Sequence, residues 1–93
     1  MIVSFRDKAT EQLYITGKSR KFSSVLGKIA IRKLSYSNHA KHLDDLRAPP
    51  GNRLEKLKGT YEGKYSIRIN DQFRIVFKFA EGQAEDVEIV DYH

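Results

Sequence analysis

The sequence predicts an α+β domain, with N-terminal helices packed on one face of a twisted, mainly antiparallel sheet. Two observations predict it. Apolar residues recur at helical spacing before Leu46, and they alternate with polar ones at strand spacing after Tyr65. Length sets the scale. Ninety-three residues hold one sheet and one helical layer, so residues 1–93 are expected to form a single domain.

Taken in order, Ile2–Arg6 alternates briefly and is expected as a first strand. Asp7 can cap a helix running to about Thr16, with Gly17 as its stop. Ser23 or Ser24 can cap a second helix, whose apolar stripe is Leu26, Ile29, Ala30 and Leu34. That helix is expected to fray near Ser37-Asn38, with a further short helical turn over His39–Leu46. Ala48-Pro49-Pro50-Gly51-Asn52 then breaks regular structure. Lys56–Lys58 is expected in a strand ending at Gly59. Three alternating strands follow: Tyr65, Ile67 and Ile69, then Phe73, Ile75, Phe77 and Phe79, then Val87 and Ile89. No repeat or low-complexity segment interrupts them.

The composition narrows the function classes. No apolar run is long enough to span a membrane, and the opening MIVSFRDKATEQ lacks a signal-peptide core. The expected location is the cytoplasm. Zero cysteines exclude disulfides and thiolate metal sites. The net charge is +5 and the pI about 9.6, which favours polyanionic partners. The charge is uneven. No acid lies between Glu11 and Asp44, while Lys18, Arg20, Lys21, Lys28, Arg32, Lys33 and Lys41 all do. A solvated helix face is the plain reading; a surface facing nucleic acid or the ribosome is the functional one.

The hydrophobic faces fix strand pairing, because a one-residue slip would turn every core side chain outward. Setting Ile67 opposite Ile75 and Tyr65 opposite Phe77 makes Asn70-Asp71-Gln72 the loop. Arg68 then lies opposite Arg74 on the outer face. Facing like charges are unfavourable. Either each arginine leans into water, or an anion such as a phosphate sits between them. Pairing Phe77 with Val87 and Ile75 with Ile89 leaves Glu81-Gly82-Gln83 as the next loop. Val90 then faces Arg74, Tyr92 is its diagonal neighbour, and Lys78 meets Asp86 as a surface ion pair. Asp91 points to the core margin, where it orders its neighbours. His93 can serve as acid or base near neutral pH.

Such a set suits RNA cleavage. The 2′-OH must lose a proton and attack its own phosphorus while cations hold the developing charge. Arg74 and Arg68 would hold the phosphate, His93 would move a proton, and Tyr92 would donate a hydrogen bond or stack on a base. No metal or other cofactor is called for. His39 and His42, three apart, are two ligands without a third and read as a solvated face. Gly17-Lys18-Ser19 lacks the rest of a phosphate loop. Phe5, Tyr14 and Phe22 read as core rather than as stacking platforms.

The segments PPGNRLEKLKG, YSIRINDQFRI and DVEIVDYH closely resemble the HigB toxins of the RelE/ParE superfamily, a group long labelled plasmid-maintenance killer proteins. The resemblance runs over essentially the whole chain. It implies a compact microbial-RNase-like fold and cleavage of mRNA in the ribosomal A site. It also implies a HigA-like helix-turn-helix antitoxin, with operator DNA bound through the toxin–antitoxin complex and no membrane involvement. By position, Arg74 matches the family's sheet arginine, and Asp91, Tyr92 and His93 match its C-terminal trio. Arg68 and Lys58 match basic positions more loosely, and with Lys56 and Arg53 they are assigned to the RNA phosphates. One departure stands out. Some members carry a histidine before LKG, where this chain has Glu55, so that role would fall to His93, Glu55 or a lysine. Two other readings remain: a gyrase inhibitor of the ParE kind without catalysis, and a module that binds only antitoxin and DNA.

Overall fold

The structure, a computed structural model, describes residues 1–91. Two helices, α1 (Lys8–Thr16) and α2 (Ser24–His39), pack on one face of a four-stranded antiparallel sheet. The strands are β1 (Glu55–Lys56), β2 (Tyr65–Arg68), β3 (Phe73–Ala80) and β4 (Gln83–Asp91), in spatial order β1-β2-β3-β4. Between α2 and β1 the chain runs through two 3₁₀ turns, Leu43–Arg47 and Pro50–Asn52. Among the described residues, no helix is long and apolar enough to cross a membrane.

Both helices begin where their caps dictate. The Asp7 carboxylate accepts from the Thr10 amide at 3.1 Å, and the Ser23 hydroxyl accepts from the Leu26 amide at 3.1 Å. Gly17 ends α1 in the left-handed region at φ 76°, which explains its place before Lys18-Ser19 without any phosphate. α2 does not fray at Ser37-Asn38 but continues to His39. Ser37 is buried and returns its hydroxyl to the Lys33 carbonyl at 3.3 Å, while Asn38 accepts from the Ile2 amide at 2.9 Å. The turn expected over His39–Leu46 begins later, at Leu43. Asp45 caps it, accepting from the amides of Lys41 and His42 at 3.0 and 3.1 Å.

The core lies between helices and sheet. Leu13, Ala30, Leu34 and Leu46 meet Ile67, Ile75, Phe77, Val87 and Ile89, all buried. Phe22 packs edge-on against Phe73 with ring centroids 6.0 Å apart, and Phe5 and Tyr14 also pack against this core. The apolar pairing matches the expected register: Tyr65↔Phe77, Ile67↔Ile75, Arg68↔Arg74, Ile75↔Ile89 and Arg74↔Val90.

Several strand expectations need correction. Ile2–Arg6 is not a regular strand. It makes two isolated parallel bridges to β4, Ile2↔Ala84 and Phe5↔Val87. The reason is the second correction, a bulge in β4. Val76 faces Glu88 but Lys78 faces Glu85, and Asp86 takes φ 52°. A bent edge cannot support a continuous ladder. The Ser4 hydroxyl instead accepts from the Asp86 amide at 2.8 Å. The Lys78–Asp86 ion pair survives the shift at 3.5 Å. Third, the bulge absorbs one residue, so the final hairpin closes with two residues, Glu81-Gly82, and Gln83 pairs with Ala80. Glu81 and Gly82 take φ 53° and 76°, the mirror-image turn that suits strand twist. β1 is also shorter and earlier than expected, covering Glu55–Lys56 rather than Lys56–Lys58.

Gly82 is doubly constrained, because a Cβ there would also meet the Lys41 carbonyl oxygen at 3.3 Å. Gly82→Ala is expected to destabilise the domain by about 1 kcal/mol. A urea midpoint equal to that of the wild type would show that the turn relaxes freely.

Candidate active site

Alternation along β2 and β3 sends Ser66, Arg68, Arg74 and Val76 to the face away from the helices. That face is not open at its centre. Ser66 and Val76 are fully buried, and Arg74 is only 8% exposed. Leu57, a further buried residue outside the main core, follows β1.

Arg74 is therefore held by the protein. Its Nε donates to the Ser66 hydroxyl at 2.8 Å, and its Nη2 donates to the Arg53 carbonyl at 2.5 Å. Glu55, opposite Ser66 in register, brings Oε1 to 3.8 Å from the same Nη2. Arg68 sits opposite Arg74, as expected, but its guanidinium ion-pairs with Asp71 in the hairpin loop. Neither arginine simply leans into water: Asp71 pairs with Arg68, and Glu55 stands near Arg74. Each arginine has a carboxylate of its own, which relieves the facing charges.

The other candidates divide. Arg53 reaches the site through its backbone, and its side chain is exposed. Glu55 is in the site. Lys56 pairs with Tyr65 and so shares the helix-side face, away from Arg74. Lys58 is exposed beyond β1, at the start of the Gly59–Tyr61 turn. Asp91 pairs with Phe73, again on the helix side, and accepts from the Gln72 side-chain amide at 3.0 Å. That hydrogen bond links the end of β4 to the β2–β3 hairpin loop. Tyr92 and His93 lie outside the described residues. His39 turns Nδ1 to the Ser35 carbonyl at 2.8 Å.

Several residues were missed. Ser66 was readable, because register places it diagonally from Arg74. The Arg53 carbonyl was not, since it depends on a left-handed residue (φ 45°) after an irregular turn. Lys33, counted among the surface cations, is only 5% exposed. Burial first, then Arg32 and Arg68, pull its pKa below the ordinary lysine value. Glu88 shares the outer face, opposite Val76. It ion-pairs with Arg6 Nε at 3.2 Å and Lys64 Nζ at 3.9 Å, without hydrogen-bond geometry at its buried Oε2. Burial raises its pKa. Arg6 and Lys64 oppose that rise, and Asp7 and Asp86 add to it.

With this geometry in place, the comparisons with known proteins decide the family. The family model for HigB-like toxins, RelE-like toxins of type II toxin-antitoxin systems, matches residues 3–93. The chain belongs to this family. It is 41% identical over 85 residues to Toxin HigB-1 of Vibrio cholerae serotype O1, covering 90% of each chain. It is 34% identical over 84 residues to an uncharacterized protein of Haemophilus influenzae, covering 89% of this chain and 83% of that one. Two YoeB-YefM toxin–antitoxin structures from Staphylococcus aureus share the fold. Their TM-scores are 0.63 and 0.58 at 18% and 22% identity; each match covers all of this chain and 98% and 95% of the other. This toxin therefore has the RelE-type architecture expected from its sequence.

Glu88 gives a pH test. Its folded pKa lies above its ordinary 4.5, so the folded state holds that proton more tightly. The associated stability is complete below pH 4.5 and is lost as pH rises through the raised value. Glu88→Gln removes this titration. The stability difference between variant and wild type should move in the variant's favour from pH 4 to pH 7, measured by urea unfolding at each pH. A difference that stays constant or reverses would show that Glu88 is not held in this way.

Proposed function

We propose that this toxin is an endoribonuclease that cuts mRNA in the ribosomal A site and so arrests translation. The observation that carries the reading is the fixed guanidinium of Arg74 on the sheet face opposite the helices. The chemistry is attack of the 2′-OH on the adjacent phosphorus with loss of the 5′ oxygen, and the protein's own side chains can supply it. Arg74 stabilises the phosphorane charge. His93 moves the proton, with Glu55 as the second candidate, since it stands 3.8 Å from Arg74. Tyr92 donates a hydrogen bond or stacks on a base. Arg68 and Lys58 contact flanking phosphates, and Asp91 keeps the hairpin in place. The substrate's own alignment for in-line attack is left to the ribosome.

The proposed partner is a HigA-like helix-turn-helix antitoxin, with operator DNA reached through the complex. Membership of a type II toxin-antitoxin family supports an antitoxin, as do the solved complexes that share the fold. The proposed compartment is the cytoplasm, where the ribosomes work.

Primer extension on cellular mRNA after induction tests the activity. Discrete cuts within translated codons are expected. Arg74→Ala should reduce them by about 10²–10³-fold. Because Arg74 is buried, Arg74→Lys and thermal melts accompany it. A folded Arg74→Ala protein that cuts at the wild-type rate would remove Arg74 from the mechanism.

The exposed cations of α2 give a second test. Lys28 and Arg32 are exposed, whereas Lys33 is not, so Lys33 is no longer part of the basic surface. Replacing Lys28 and Arg32 by glutamine should weaken ribosome association and flatten its salt dependence. An unchanged slope would make them a solvated face only.

A further inference from the structure

We propose that Lys33 is a positioning residue for the nuclease site: through Asn52 and the Arg53 carbonyl, it sets the guanidinium of Arg74. The proposal rests on the endonuclease reading for its kinetic consequences, but the structural link stands apart from it.

Lys33 lies on α2, on the helix side of the sheet, and Arg74 projects from the other side. The connection runs through the loop that leads into β1. The Lys33 ammonium is buried and donates to the Asn52 Oδ1 at 2.6 Å. The ring of Tyr36 lies 6.0 Å away. Among the described residues, no carboxylate is within ion-pair distance of it. A buried cation without a counter-charge is a poor way to stabilise a fold, and a linear apolar side chain would fill the same space. What the ammonium provides, and an apolar chain cannot, is a donor that fixes one orientation of the Asn52 amide.

Asn52 is fully buried and uses that orientation. Its Nδ2 donates to the carbonyls of Leu46 and Ala48, both at 3.2 Å. Its own amide donates to the Pro49 carbonyl at 2.9 Å. One side chain thus ties the 46–52 loop together. Arg53 follows directly in the left-handed region (φ 45°, ψ 57°), and its amide donates to the Pro50 carbonyl at 3.2 Å. A non-glycine residue holds that conformation only when its surroundings impose it. The result is that the Arg53 carbonyl is aimed at Arg74 Nη2. The other acceptor, Ser66, is fixed by the sheet. Of the two acceptors named here, one comes from a rigid strand and the other from a loop that Lys33 sets.

The test uses the full-length toxin. Lys33→Met keeps length and removes the donor. Asn52→Asp keeps an acceptor for Lys33 but removes the donor to Leu46 and Ala48, so it tests the second link should Lys33→Met fail to fold. Leu13→Ala is the control, a core lesion on α1 that removes none of these hydrogen bonds. The first readout is the Arg74 Nε–H resonance of the free protein and its exchange with water. The second is ribosome-dependent cleavage, resolved into kcat and KM.

Both variants are expected to shift the Arg74 Nε–H resonance and speed its exchange. kcat should fall on the order of 10–10²-fold with KM little changed, as for a misplaced reacting group. Leu13→Ala should lower the melting temperature and leave that resonance in place. An unmoved Arg74 resonance in both variants overturns the proposal, whatever happens to the rate. Should the wild-type protein cut no RNA, the endonuclease reading fails, and the resonance alone decides the Lys33–Arg74 link.

Discussion

The apolar ladder Ile67–Ile75–Ile89 is the constraint on which the rest depends. These three side chains are buried, at most 6% exposed, and cannot all stay so in any other register. Once they face the helices, Ser66, Arg74 and Val90 must face the other way. The site is thus a by-product of core formation. Two of the groups that hold or flank Arg74, Ser66 and Glu55, come from strands whose pairing the ladder has already fixed. Another, the Arg53 carbonyl, comes from a loop and needs an anchor of its own.

The far edge of the sheet is treated differently. β4 would present free amides there, an invitation to pair with other chains. The N-terminal segment covers them in part: Met1 and Ser4 carbonyls accept from Ala84 and Val87, and the Ser4 hydroxyl accepts from Asp86. Thr10 of α1 takes the Ile89 amide at 3.0 Å. The bulge at Asp86 prevents a regular fifth strand and also bends β4 along the length that leads to Asp91. Closing this edge ties α1 to the strand that carries the C-terminal residues.

Much of this was legible in the sequence. Asp7, Gly17 and Ser23 marked helix ends because capping is local chemistry. The register of β2 and β3 followed from alternation. What alternation could not show is what covers each face. It placed Arg74 on the side away from the helices, and that side was taken as open. The segment that helps bury it has no periodicity, and its one visible sign was the apolar Leu57 between two lysines. Lys33 was misread for the same reason: a lysine in a basic stretch looks solvated unless its partner, Asn52, is known. The bulge left only a weak trace: aspartate tolerates a left-handed backbone, but Asp86 stands inside an alternating stretch with no glycine or proline beside it.

How Arg74 is held bears on how it can act. A buried guanidinium is most simply satisfied by a bidentate carboxylate, which would also neutralise it. Here the short contacts are to a hydroxyl and a carbonyl, and the carboxylate of Glu55 stands off at 3.8 Å and is half exposed. The Ser66 hydroxyl and the Arg53 carbonyl fix its direction, and Glu55 supplies the nearby carboxylate. In the proposed reaction, a cation held this way is already oriented and would spend little reorganisation as negative charge develops. The same arrangement makes Arg74 sensitive to its acceptors. Moving a carbonyl turns the guanidinium without removing it. The geometry of the Arg53 loop, and with it the buried Lys33–Asn52 pair, then matters as much to the site as the residues that face it.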